Sequence, residues 1–419
     1  MATNEGDEGV SENGVGEIAV EGLRRGVRMT AVVSLLLGTL GISTAYGMVL
    51  LLPLYVKELG GNEAAFGVIL SSALVPAVLC IGLLIRYPEV LRPHVVVALA
   101  VAVYALGAAG TALVKGAWTP LIGIGVLLGT AWAVVYTATP MVMSEMVTDS
   151  GRATYFGYLT GTQQIGIGAG PVLARFMVET DLGFGGTFAV AGVVCLVAVA
   201  FTVAVGFLTP GGRGSERATG EEAGVALGDA VGRILRSEAV FSLVMILLFA
   251  CLFTSLTQFQ TTFASARGLD YSVFYVAYTV AVIVSRFGLA PLASRFETRL
   301  VISASVSVMA LSVAAFLIVG SNPLLYGMAS AFVGLGYGLA LPSVQAHAVN
   351  VSDEAARPRV LPLAGLLFQA AILGFPLIAG WIIASVGYPA LFAVLVTLAL
   401  VQAAIGWWRL SVARKAGAK

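Results

Sequence analysis

Twelve apolar stretches, each about 20 residues or longer and separated by short polar breaks, leave this chain only one kind of environment. A run of that length crosses the hydrocarbon core of a bilayer as a helix, whereas a barrel strand needs roughly ten residues of alternating polarity. The runs here are continuously apolar. Helices are therefore expected at 30–56, 64–86, 94–114, 118–144, 153–178 and 184–208, and again at 239–265, 271–293, 300–320, 323–349, 359–385 and 388–410. With 58% hydrophobic and 11% charged residues, no soluble globule could cover so much apolar surface. The expected fold class is all-α integral membrane, with 12 transmembrane helices.

Placing the N-terminus in the cytoplasm puts nineteen of the 23 Lys and Arg on the inner side and leaves Lys57, Lys115, Arg175 and Arg267 outside. That bias orients a plasma-membrane protein with both termini cytoplasmic. Residues 1–29, rich in Gly and Glu, read as a disordered cytoplasmic tail. Residues 30–208 then form an N-terminal six-helix bundle, 209–238 a cytoplasmic linker, 239–411 a C-terminal six-helix bundle, and 412–419 a short cytoplasmic tail. The net charge of +1 gives no reason to expect nucleic acid as a partner. Cys80, Cys195 and Cys251 all fall inside apolar runs, as small hydrophobes do. No metal spacing, phosphate loop or nucleophile elbow is present, so no enzyme activity, cofactor or metal is expected.

The two sets of six helices resemble each other. LPLYVKELG at 52–60 lines up with QTTFASARG at 260–268, and AFGV with VFYV, both at an offset of 208 residues. Gly129 and Gly334 are 205 residues apart, as are the pairs Arg152, Pro171 and Arg357, Pro376. Two similar halves facing each other across a midplane site is the design of secondary transporters.

Within the fifth run, GYLTGTQQIGIGAGP places five glycines and a proline where a helix is expected, although glycine costs about 1 kcal/mol against alanine in a helix interior. Gly157 and Gly161 lie about 40° apart on such a helix, as do Gly166 and Gly170, and the two pairs fall on nearly opposite faces. Pro171 removes the hydrogen bond to Ile167 and permits a bend. The spacing Gly157-x8-Gly166-x3-Gly170-Pro171 resembles the fifth-helix motif of antiporters in the major facilitator superfamily, with Ala174 in place of the final motif glycine. GLLIRYPEVLRPH resembles the loop after that family's second helix, with Arg86 where aspartate is usual. SRFGLAPLASRFETR resembles its second-half copy, with Ser294 in that place. The resemblance spans about residues 30–410 and implies the major facilitator fold, two pseudo-symmetric six-helix bundles working by alternating access. Helices one, four, seven and ten would surround the cavity.

Polar and aromatic residues near mid-span are the candidate substrate ligands: Ser43, Tyr46, Trp132, Tyr136, Gln163, Gln164, Thr254, Gln258, Tyr278, Tyr337 and Gln369. An amide in hydrocarbon needs a partner, and for each residue an interhelical hydrogen bond competes with a ligand contact. Candidates for gating or coupling are Glu145, Arg175, Arg286 and His347. Glu145 sits at the cytoplasmic end of the fourth expected span, and His347, near the inner end of the tenth, is able to titrate near neutral pH. Arg175 either gates or snorkels to the headgroups. With no charge expected at the membrane centre, the reading is a secondary transporter exporting a small neutral or amphiphilic organic solute. An importer or uncoupled facilitator of the same fold, and a non-transporting membrane sensor, are the alternatives. The expected partners are that solute, a proton as candidate coupling ion and the lipid bilayer; the chain is expected to be monomeric.

Overall fold

The computed structural model describes residues 9–87, 90–147, 152–208, 232–234, 236–293, 295–352 and 357–417. Every long element among them is helical. The first half comprises α1 (Gly9–Val49, continued by Leu52–Glu58), α2 (Glu63–Ser71, continued by Leu74–Arg86), α3 (Pro93–Leu113), α4 (Leu121–Met146), α5 (Arg152–Val178) and α6 (Gly183–Leu208). The second comprises α7 (Ala239–Gln258, continued by Gln260–Ser265), α8 (Tyr271–Ile283, a π turn over Val284–Leu289, then Ala290–Ala293), α9 (Thr298–Ala315), α10 (Pro323–Asn350), α11 (Arg357–Val386) and α12 (Tyr388–Gly417). The breaks in α1 and α2 sit where proline cannot donate a hydrogen bond: Pro53 toward Val49, and Pro76 toward Ser72. Among the described residues eleven helices are long and apolar enough to cross a membrane; α5 has the length but is diluted by its glycines and amides.

Two boundaries differ from those expected. Residues 9–29, expected as a disordered tail, continue α1 as helix into the apolar span. Likewise α12 runs on through 412–417, with Arg414 and Lys415 in its last turn, where cations favour the helix end. Of the expected linker 209–238, residues 209–231 and 235 lie outside the described residues, as does Ser294.

The offset of 208 residues is visible in the backbone. Gly60 and Gly268 both turn the chain with positive φ, +79° and +65°, where a side chain would be strained. Two residues later, Asn62 accepts from the Ala65 N–H at 3.0 Å, and Asp270 from the Ser272 N–H at 2.9 Å, capping α2 and α8.

Within the halves, α1 packs on α5 and α6, α3 on α4 and α6, α7 on α10 and α11, and α9 on α10 and α12. Across them run two seams, α2 against α11 and α5 against α8. Both seams are tight at the face carrying Gly60 and Gly268, here called the far face. A Cβ at Gly67 would strike the Pro376 carbonyl and one at Gly380 the Glu63 carbonyl, while Ser71 Oγ donates to Leu373 O at 2.6 Å. Toward the opposite, terminal face the seams loosen: at Gly82 and Gly365 no heavy atom lies within 4 Å of an added Cβ. On the other seam a Cβ at Gly168 would overlap Thr279, one at Gly161 would sit 3.3 Å from Phe287, and one at Gly157 4.0 Å. The halves meet at the far face and diverge at the terminal face.

Polar contacts seal the far face. Glu63, buried in the first turn of α2, pairs with Lys57 at 2.6 Å and accepts from Tyr388 Oη of the other half at 2.8 Å. Arg175 of α5 pairs with Asp270 of α8 and, at 3.1 Å, with Glu179. Tyr388→Phe removes a hydrogen bond to a buried charge, worth about 1.5–3 kcal/mol. The far face should therefore open roughly tenfold or more often, read as faster thiol labelling of a cysteine placed at Thr261. Unchanged labelling would show that Glu63 does not hold the halves together.

Candidate functional site

The α5 sequence builds one wall of the space between the halves. Counting 100° per residue from Gly157, the positions Gly161, Gln164, Gly168 and Arg175 all fall within about 40° of it. That stripe faces α8: Gly157 and Gly161 lie under Phe287, Gln164 against Tyr278, Gly168 against Thr279, and Arg175 on Asp270. The opposite stripe faces α1 inside the same half. A Cβ at Gly166 would lie 2.6 Å from Ser43 Cβ, and one at Gly170 2.5 Å from Gly47 Cα. Pro171 is accommodated within α5, which continues to Val178.

Near the far face, Tyr46 stacks on Trp132 with centroids 3.8 Å apart and planes at 15°, and Gln258 Nε2 donates to Tyr46 Oη at 2.9 Å across the halves. These three, with Phe66, Tyr104 and Ile372, line a cavity of ≈ 30 Å³. One water needs about 10–15 Å³, so this space holds about two waters and no organic solute. Phe66 meets Phe259 edge-on above it, 5.4 Å between centroids.

Toward the terminal face lies an aromatic cluster drawn from both halves. Tyr136 stacks with Phe368 at 6.1 Å, Phe253 with Tyr337 at 5.0 Å, and Tyr278 lies 6.0 Å from Tyr337. Phe253 also lies 6.3 Å from Phe368, which joins the two pairs. Polar atoms around this region are buried without a hydrogen-bond partner, among them Gln164 Oε1 and Gln369 Oε1. Such orphans are costly and rare in a finished interior. Gln369 is half satisfied, its Nε2 donating to Ala133 O of the other half at 3.3 Å.

Not every expected ligand takes part. Thr254 donates to Ile372 O at 2.9 Å within its own half, an interhelical bond that leaves it little to offer a ligand. Ser43 lies in the seam between α1 and α5, fully buried beneath Gly166. Gln163 is buried beside Gln164, yet among the described residues no hydrogen bond ties it to the cluster. Phe253 and Phe368 were not anticipated; each directly precedes a polar residue that was, Thr254 and Gln369, and apolar aromatics in an apolar run carry no signal of their own.

The charged candidates separate as clearly. Glu145 is exposed at the terminal end of α4. Glu63, one residue before the expected start of the second span, begins α2. Arg175 bridges the halves through Asp270 instead of reaching for headgroups. His347 lies inside the second half, lining a cavity of ≈ 20 Å³ with Glu238, Arg299 and Arg409. There Arg409 and Arg299 both pair with Glu238, and the hydrogen bond from Arg409 holds that carboxyl below the usual carboxylate range. Arg286, one of the gating or coupling candidates, lies in the π turn of α8 with Nε buried, within electrostatic reach of Tyr136, Tyr278 and Tyr337.

The sequence matches the family profile of the Major Facilitator Superfamily over residues 32–371 and 270–419. No curated protein sequence matches it. Among solved structures it is similar to the nucleoside transporter NupG, with a TM-score of 0.66 at 16% identity over 92% of this chain and 98% of that one. It is similar to a bacterial homolog of the human lysosomal transporter Spinster in an inward-facing, unoccupied conformation, TM-score 0.66 and 14% identity over 91% and 96%. The human organic anion transporter MFSD10 follows with a TM-score of 0.60 and 15% identity over 90% and 99%. At these identities the likeness is one of fold.

Proposed function

The chain belongs to the Major Facilitator Superfamily, and from that premise we propose that it is an alternating-access transporter that exports a small neutral or amphiphilic organic solute. In this reading α5 is the twelfth span, the terminal face is cytoplasmic, the membrane is the plasma membrane and the protein works as a monomer. The observation that carries it is the pair of seams, tight at the far face and open at the terminal face, with a cluster of aromatics and orphaned polar atoms between them. Rocking one half against the other about that cluster would expose it to each side in turn. Export is supported by the antiporter-like glycine helix, whose stripe on α8 forms one of the two seams. Uncoupled diffusion is favoured by a different observation: among the described residues no carboxylate lies at mid-depth, since Glu63 and Glu145 sit at opposite ends.

Counterflow in proteoliposomes, screened with a library of organic solutes, tests the transport reading, and an imposed pH gradient separates export by proton exchange from uncoupled diffusion. Failure of every solute to exchange would overturn it. In the same assay Gln164→Ala should weaken the apparent affinity of a transported solute several-fold, as expected for one lost hydrogen bond of about 0.5–1.5 kcal/mol. An unchanged affinity would remove Gln164 from the site.

A further inference from the structure

The inward stripe of α8 runs Tyr275, Tyr278, Thr279, Val282, Arg286, at helical spacing, and its first four members are buried. The opposite stripe, Val276, Val280, Val284 and Phe287, is 48–54% exposed, as a lipid-facing surface is. Arg286 thus stands on the inner stripe, inside a π turn, a distortion frequent at functional sites. Its neighbours fix the turn from both sides: Ser285 Oγ donates to Leu335 O of α10 at 3.1 Å, and Phe287 covers the α5 glycines.

The side chain that results is half-buried. Nε is buried without a hydrogen bond, and no described carboxylate lies within ion-pair distance. Arginine stays protonated in proteins, so the charge cannot be shed to relieve the cost. Three tyrosines from both halves, Tyr136, Tyr278 and Tyr337, lie close enough to feel that charge, with Phe253 and Phe368 completing the ring cluster. A single unpaired cation beside an apolar, aromatic chamber is complementary to one negative charge on an apolar body. The chamber opens toward the terminal face, where the halves diverge.

Resting on the transport reading above, we propose that Arg286 anchors the substrate's anionic group and that the substrate is an amphiphilic monoanion, such as an aromatic carboxylate, with its apolar body among Tyr136, Phe253, Tyr337 and Phe368. This narrows the neutral or amphiphilic solute expected from the sequence to an amphiphilic one that carries a charge. A dianion would place its second charge among the rings, where no described cation meets it, and should bind poorly.

Calorimetry on the purified full-length protein tests this with three probes of one shape: 2-naphthoate, its uncharged amide and 2,6-naphthalenedicarboxylate. Naphthoate should bind at least tenfold more tightly than either, the range of a charge-assisted hydrogen bond. Arg286→Gln should bring naphthoate and amide to about equal affinity, and Arg286→Lys should keep part of the preference. Both variants should melt no lower than the wild type, because each removes or retains a charge that no described carboxylate balances. Equal wild-type affinities, a preference surviving in Arg286→Gln, or no naphthoate binding at millimolar concentration would each overturn the assignment, and the wild-type comparison needs no variant to fold. If uncharged solutes exchange in counterflow while the preference for naphthoate is missing, the anion assignment fails and the transport reading stands. If nothing exchanges, both fall.

Discussion

Gly168→Val will hold the far face open. A Cβ at this position would come 2.7 Å from Thr279 Cβ and 2.8 Å from Thr279 Cγ2, across the seam between α5 and α8, and valine adds two methyls to that overlap. Overpacking costs about 1–3 kcal/mol, and here it falls only on the arrangement in which the halves touch. The ratio of closed to open far faces should drop roughly 5- to 150-fold. Spin labels at Asp181 and Ser321, exposed far-face positions in the two halves, should report a longer distance by electron–electron double resonance. Counterflow should slow as the closed state becomes scarce. A distance distribution identical to wild type would mean that the seam does not govern closure.

Gly170→Leu should abolish transport by a different route. Gly170 and Gly47 bring the backbones of α5 and α1 into direct contact, and the same overlap is seen from Gly47, whose Cβ would lie 2.8 Å from Ile167 O and 2.9 Å from Gly170 Cα. Backbone cannot swing aside as a side chain can, so the helix pair must part. Because both helices belong to the first half, the loss is of that half's packing, not of its motion. Little monodisperse protein should survive size-exclusion chromatography. Gly123→Leu is the control, since no heavy atom lies within 4 Å of an added Cβ there and helix propensity improves. If Gly170→Leu behaved like that control, the close approach of α1 and α5 would not matter.

The helices are legible in the sequence because apolar length is itself the signal, and a bilayer admits few other uses for it. The two opposed glycine faces on α5 are legible too, since spacing at 100° per residue survives translation into structure. What each face meets was not legible: nothing in GYLTGTQQIGIGAGP says that Gly166 and Gly170 turn to α1 while Gly161 and Gly168 turn to α8. Glu63 escaped notice by one residue, because hydropathy begins a span at its first apolar position while the helix begins at its cap, Asn62. What surrounds Arg286 was hidden for a related reason. Basic residues near the end of an apolar run read as topology signals, and a π turn leaves no compositional mark that would carry such a residue inward. The aromatic partners Phe253 and Phe368 were hidden because clustering is a property of several helices at once.

Asp270 does two things with one carboxylate: Oδ1 holds the start of α8, and Oδ2 holds Arg175 in the other half. Its counterpart 208 residues earlier, Asn62, holds the start of α2 with an amide that carries no charge. Codons for asparagine and aspartate differ at a single base. A single base change at this position therefore suffices to turn a cap into one that also ties the two halves together, without disturbing the helix it begins.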